Sequence, residues 1–136
     1  DSYFYKIGND AIDVSGSDLK VSDVKVFTAS DKGLSVGEKS TVKANNVTIK
    51  DVKVGVASKD MSIAIISNLK VENAKYGVSG FQKKSEYGPA LLIAKDSTIK
   101  SVKRPFLKEK KSQIIFNGNK IKSSLKKIKN IKSLIY

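Results

Sequence analysis

Apolar residues in this chain come in short alternating bursts separated by polar pairs. Val47-x-Ile49 is followed by Lys50-Asp51 and then by Val52-x-Val54. Alternation over so few residues predicts strands, because an amphipathic helix spaces its apolar residues three and four apart. The bursts recur as one block, in Leu19-Lys-Val-Ser-Asp-Val-Lys-Val, Val47-Thr-Ile-Lys-Asp-Val-Lys-Val, Leu69-Lys-Val-Glu-Asn-Ala-Lys-Tyr and Ser97-Thr-Ile-Lys-Ser-Val-Lys-Arg. Between the blocks stand Gly33-Leu-Ser-Val, Gly55-Val-Ala-Ser and Gly77-Val-Ser-Gly, led by glycines 22 residues apart. Ala11-Ile-Asp-Val lies one period earlier, and Pro105-Phe-Leu-Lys follows after a row of 28. A period of about 20–50 residues marks a solenoid or another repeat architecture.

Two polar columns punctuate the rows. Asp23, Asp51, Asn73 and Ser101 align at the break inside the block, and Asp18, Asn46, Asn68 and Asp96 align just before it. Such residues close tight turns through bonds to their own backbone and tolerate left-handed conformations. Short strands joined by turns that stack from row to row predict an all-β chain, a parallel β-helix of about four to five coils. Its inward columns are expected to be Leu19/Val47/Leu69, Val21/Ile49/Val71/Ile99 and Ile12/Leu34/Val56/Val78/Phe106. Leucine-rich and helical repeats lack their required spacings here.

Over residues 9 to 122 the chain resembles the right-handed parallel β-helix proteins of the pectate-lyase-like superfold. The resemblance rests on the period, the Asn/Asp columns, and the phrases Gly8-Asn-Asp-Ala-Ile-Asp, Asp31-Lys-Gly-Leu-Ser-Val-Gly-Glu-Lys-Ser and Gly55-Val-Ala-Ser-Lys-Asp. Those phrases look like bacterial surface proteins that carry such a domain without assigned activity. The resemblance implies a carbohydrate-related role and a secreted, cell-surface or periplasmic location. It does not fix a reaction, since this superfold carries many functions.

Two rows carry extra residues, Phe27 to Lys32 and Gln82 to Ala90, and insertions in a solenoid project as loops. Asn117-Gly118 between apolar runs predicts a hairpin. In Ser123 to Tyr136, Leu125, Ile128, Ile131 and Leu134 recur every third residue among lysines, which suits a short helix or an irregular coil. The expected organisation is one domain, with coils over 1–122 and a basic C-terminal cap over 123–136, because an open β-helix end needs covering.

Composition narrows the chemistry. The 136 residues include no Cys and no His, which removes thiolate chemistry, disulfides and the commonest general base. No apolar run is long enough to span a membrane. A start at Asp1 without Met is expected of a mature form or a piece of a larger polypeptide. The net charge of +13 is uneven: from Lys100 onward stand 12 basic residues against one acid, Glu109. That field attracts polyanions. Nucleic acid is disfavoured as the partner, because Arg104 is the single arginine and no recognised nucleic-acid module appears.

Binding candidates follow from the columns. Lys25, Lys53, Lys75 and Lys103 are expected to form an outward ladder, starting about 4.8 Å apart at the backbone. At such separations two charges repel by only about 0.8 kcal/mol in water, so the ladder costs little. In the long row, Phe81 and Tyr87 offer rings for a sugar, with Lys83, Lys84 and Glu86 beside them. The reading is a non-catalytic module that binds an anionic polysaccharide or wall polymer, or serves as a rigid structural domain, with no cofactor. The alternative is a polysaccharide lyase on an acidic glycan: the resemblance implies calcium held by carboxylates, with Glu38, Lys59, Asp60 and Tyr87 as its machinery.

Overall fold

The computed structural model describes residues 1–122 and 128–136 of the chain. It is a parallel β-solenoid of about five turns with a very short C-terminal helix. The strands run in chain order as β1 (Ser2–Ile7), β2 (Ile12–Ser15), β3 (Asp18–Gly37), β4 (Thr41–Lys59), β5 (Ile63–Phe81), β6 (Leu91–Lys95), β7 (Thr98–Lys108), β8 (Gln113–Phe116) and β9 (Asn119–Lys120). Each row pairs in parallel with the next, from β1 and β2 on β3, through β4 and β5, to β6 and β7.

The three longest strands bend rather than end, and the bends are single residues in left-handed backbone. One corner column is Asp23, Asn46, Asn68 and Asp96, with φ of 56°, 58°, 55° and 50°. A second is Lys6, Thr28, Asp51, Asn73 and Ser101, with φ from 53° to 65°. The third begins at Gly16, Glu38 and Asp60. Asn and Asp lead the first two columns because their short polar side chains tolerate this conformation at little cost and bond across rows. Asn46 Nδ2 donates to Asp23 Oδ1 at 2.7 Å, and Asn73 Nδ2 to Asp51 Oδ1 at 2.5 Å.

The columns that follow the repeated glycines fall as the sequence predicts, with Ile12, Leu34, Val56, Val78 and Phe106 in register. The first block does not. Val24 and Val26, rather than Leu19 and Val21, stand opposite Val47 and Ile49, and Leu19 lies opposite Val42. Asp23 therefore belongs with Asn46, and Thr28 takes the place expected of Asp23. Between Ala29 and Lys32 the register shifts, so Ser30 and Asp31 together oppose Lys53. This is a β-bulge, which absorbs one extra residue.

The interior is a continuous apolar core of Val24, Val26, Val47, Ile49, Leu69, Val71, Leu34, Val56 and Val78, with their neighbours in rows above and below. Gly55 shows how tightly the rows close: a Cβ there would meet the carbonyl of Gly77 and lie 2.8 Å from Val71 Cγ1. The C-terminal end is closed by the expected hairpin. Asn117 and Gly118 take positive φ, β9 returns antiparallel on β8, and Ile121 packs against the core.

The helix α1 (Ile128–Ile135) takes a different place from that hairpin. Ile131 and Ile135 are buried against Val54, Ala57, Tyr76, Phe81 and Leu107, outward residues of β4, β5 and β7. It therefore lies along the flank of successive rows, while the hairpin finishes the stack. Lys53 Nζ donates to the Ile135 carbonyl at 2.6 Å, placing a cation at the negative end of the helix. Residues 123–127 of the expected cap lie outside the described residues.

Gly55→Ala is expected to lower the free energy of urea unfolding by about 1–3 kcal/mol, the usual cost of overpacking a closed core. Gly8→Ala, where nothing lies within 4 Å of the added carbon, is the control and leaves the urea midpoint unchanged.

Candidate functional site

The long row forms its loop at the third corner, and the candidate residues there are drawn together by structural bonds. Asp60 is fully buried, and its Oδ1 accepts the backbone N–H groups of Lys83 at 2.7 Å and Lys84 at 2.8 Å. Glu109 Oε1 accepts Gln82 N–H at 3.0 Å and the Ser112 hydroxyl at 3.2 Å. Gln82 Nε2 turns back onto the carbonyls of Lys84 and Tyr87. Two carboxylates thus pin the base of the insertion.

Glu38 and Lys84 form an ion pair at 2.5 Å, and Ser15 also donates to Glu38. The bond from Lys84, then that from Ser15, holds the Glu38 carboxyl below its ordinary range. An ion-paired Glu38 and a fully buried Asp60, both engaged in hydrogen bonds, anchor the corner rather than presenting a free acid and base. Phe81 corrects the sequence expectation. It is fully buried, its ring edge-on to Tyr136 at 6.2 Å, so it offers no face to a sugar. Strand alternation does point it outward, but α1 covers that face. Tyr87 is half-buried, with the Lys39 ammonium 6.0 Å from its ring, and Glu86 is exposed. Lys59 is buried and donates to the Tyr136 hydroxyl at 3.1 Å.

The lysine ladder survives in three of its four rungs. Lys53, Lys75 and Lys103 lie between the paired neighbours Val52/Ala74/Val102 and Val54/Tyr76/Arg104, so they share one column. Lys25 is corrected out of it, because the first block pairs through Val24 and Val26 rather than Leu19 and Val21, and it stands opposite Thr48. It joins another outward column, Tyr3, Lys25, Thr48, Lys70 and Thr98, beside Tyr5, Phe27, Lys50, Glu72 and Lys100. The Asp51/Asn73/Ser101 corner separates these columns from the ladder. The outcome is a basic ridge, with Lys50 and Lys100 on one side of the corner and Lys53, Lys75 and Lys103 on the other.

At the first-row end of this face lies an aromatic group that reading the lysine columns does not single out. Tyr3 is 58% and Tyr5 54% exposed, and Tyr3 meets Phe27 edge-on at 5.4 Å. Lys6 lies 5.2 Å from the Tyr5 ring centroid. A shallow depression of about 370 Å³ runs between Tyr3, Lys25, Asn46 and Thr48. The signal is present in the chain: Tyr3-x-Tyr5 alternates as a strand does, and Phe27 follows Tyr5 by one period.

Among the described residues no three acidic side chains converge as a metal site would require, and no helix is long and apolar enough to cross a membrane. Comparisons with family models, curated proteins and solved structures find no match to this chain.

Burial raises the Glu109 carboxyl above its ordinary value, against the opposing bonds from Gln82 and Ser112. A raised folded pKa contributes stability that is complete below the unfolded pKa and is lost as pH rises through the folded one. Glu109→Gln keeps an acceptor oxygen for Gln82 and removes the buried charge. It is expected to raise the unfolding temperature at neutral pH, by a margin that shrinks on acidification into the ordinary carboxylate range; thermal unfolding across that pH span checks it.

Proposed function

We propose that this solenoid is a non-catalytic module that binds an anionic polysaccharide along its basic ridge. The observation that carries the reading is the outward face itself, where lysines recur in register from row to row and end at the exposed rings of Tyr3 and Tyr5. Rows about 4.8 Å apart present charge at a regular interval, which suits a polymer that repeats its carboxylates. Each exposed contact is worth little by itself, about 0.2–1 kcal/mol. Several engaged together give useful affinity, since contacts after the first are effectively intramolecular. The tyrosine rings add flat amphipathic surface, with a hydroxyl to bond and a face to cover a sugar.

Lysine rather than arginine supports the same reading, because ammonium groups are compact, strongly hydrated point charges that attract a polyanion without requiring the planar, bidentate geometry of guanidinium. The period and corner columns keep the resemblance to pectate-lyase-like β-helix proteins of bacterial surfaces as the working context, and with it a secreted, cell-surface or periplasmic location. Glu38 and Asp60, committed to bonds within the corner, favour binding over cleavage.

Affinity electrophoresis through polygalacturonate, against a neutral glucan of similar size, tests the proposal. The chain is expected to be retarded by the acidic polymer alone. Replacing Lys50, Lys100 and Lys103 together by Gln, or Tyr3 and Tyr5 by Ala, is expected to weaken binding by roughly tenfold, as three lost surface contacts would. Retardation equal to that of an unrelated protein of the same pI overturns the reading. So does preferential binding of single-stranded DNA, or release of unsaturated sugar in the presence of calcium, which would return the chain to the lyases.

A further inference from the structure

On the flank covered by α1, Tyr136 sits over three ammonium groups. Lys83 Nζ lies 4.1 Å, Lys32 Nζ 4.5 Å and Lys59 Nζ 5.6 Å from its ring centroid. With Asn9, Asp10, Asp13 and Asp31 these residues line a depression of about 330 Å³. The three cations are not equivalent. Lys32 is 1% exposed and neutralised, by Asp31 Oδ2 at 3.1 Å and Asp10 Oδ1 at 3.7 Å. Lys59 is 8% exposed, yet among the described residues no carboxylate oxygen lies within 4.0 Å of it. Its hydrogen-bond partner is the neutral phenol oxygen of Tyr136, which leaves two of its three N–H donors to be satisfied.

An ammonium placed so deep without a counter-charge is costly. Gly37 makes the placement possible, because a side chain there would bring a Cβ within 3.0 Å of Lys59 Cε. The neighbour, Lys83, is held below the ordinary lysine range by burial and then by repulsion from Lys59 and Lys32, with Asp60 as a smaller opposing influence. Two partly desolvated cations facing one cavity are relieved by an anion between them.

We propose that this depression is a binding site for a small oxyanion, a carboxylate or phosphate group held between Lys59 and Lys83. The Tyr136 hydroxyl accepts from Lys59 and turns its own proton toward the ligand. Charge-assisted bonds of this kind are short and about twice as strong as neutral ones. Asp10 and Asp31 are already paired with Lys32, which leaves Lys59 and Lys83 as the cations open to the anion. The pocket is independent of the ridge and of the polymer proposed there.

The test is an amide-resolved NMR titration of the full chain, once with inorganic phosphate and once with monomeric galacturonate. Saturable shifts are expected at Asn9, Lys59, Lys83 and Tyr136, and the tighter of the two ligands identifies the source of the oxyanion. Lys59→Met and Lys83→Gln are each expected to weaken binding by about tenfold or more, while Lys50→Gln with Lys103→Gln leaves it unchanged. Shifts that never saturate overturn the proposal, as do saturable shifts that survive both substitutions in variants retaining a dispersed amide spectrum. If Lys59→Met fails to fold, half-buried Lys83→Gln decides the matter alone.

Discussion

The structure rests on one constraint: each row's backbone must bond to the next row while the chain turns corners without leaving the stack. A continuous strand such as Ile63–Phe81 meets it by placing single residues in left-handed backbone, so the hydrogen-bond ladder resumes at once beyond each bend. Every corner is therefore a column. Its occupants must tolerate positive φ, and polar ones can bond to the corner of the neighbouring row, as Asn46 does to Asp23 and Asn73 to Asp51. Apolar side chains between corners then have no choice of direction, and the core follows from the corners.

The outer surface is divided by what covers it. One flank is surrendered to α1, whose Ile131 and Ile135 convert outward positions such as Val54, Tyr76 and Phe81 into a second small core. The corner nearest that helix gathers paired and buried charges that fix the inserted loop. The remaining basic face stays open to solvent. Burial of lysines at one flank and their exposure at another come from the same composition, sorted by the position of the helix.

Much of this was legible in the sequence because a solenoid repeats its geometry. The glycines at 22-residue spacing, the Val56 and Ile49 columns and the Asn117-Gly118 hairpin could all be read from spacing. The slip in the first block has a physical origin. Its phrase Leu19 to Val26 shares its last four residues, Asp-Val-Lys-Val, with the Val47 block, but likeness of wording is weaker than distance to the next repeated glycine. Asn46 precedes Gly55 by nine residues and Asn68 precedes Gly77 by nine, whereas Asp23 precedes Gly33 by ten, the extra residue being the bulge. Among the site residues, Lys53, Lys75 and Lys103 were readable as a column. The burial of Phe81 was not, since it depends on a helix that arrives from more than forty residues away and carries no repeat of its own.

The hairpin covers one part of the last row and leaves another open. At that end the β8–β9 pairing is antiparallel and the terminal strand, Asn119–Lys120, is two residues long, but the neighbouring β7 pairs with β5 alone and keeps its other edge unpaired. At the other end β1 pairs on one side alone, leaving a parallel edge flanked by exposed Leu19. Unpaired parallel edges thus stand at both ends of the described rows, at β1 and at β7.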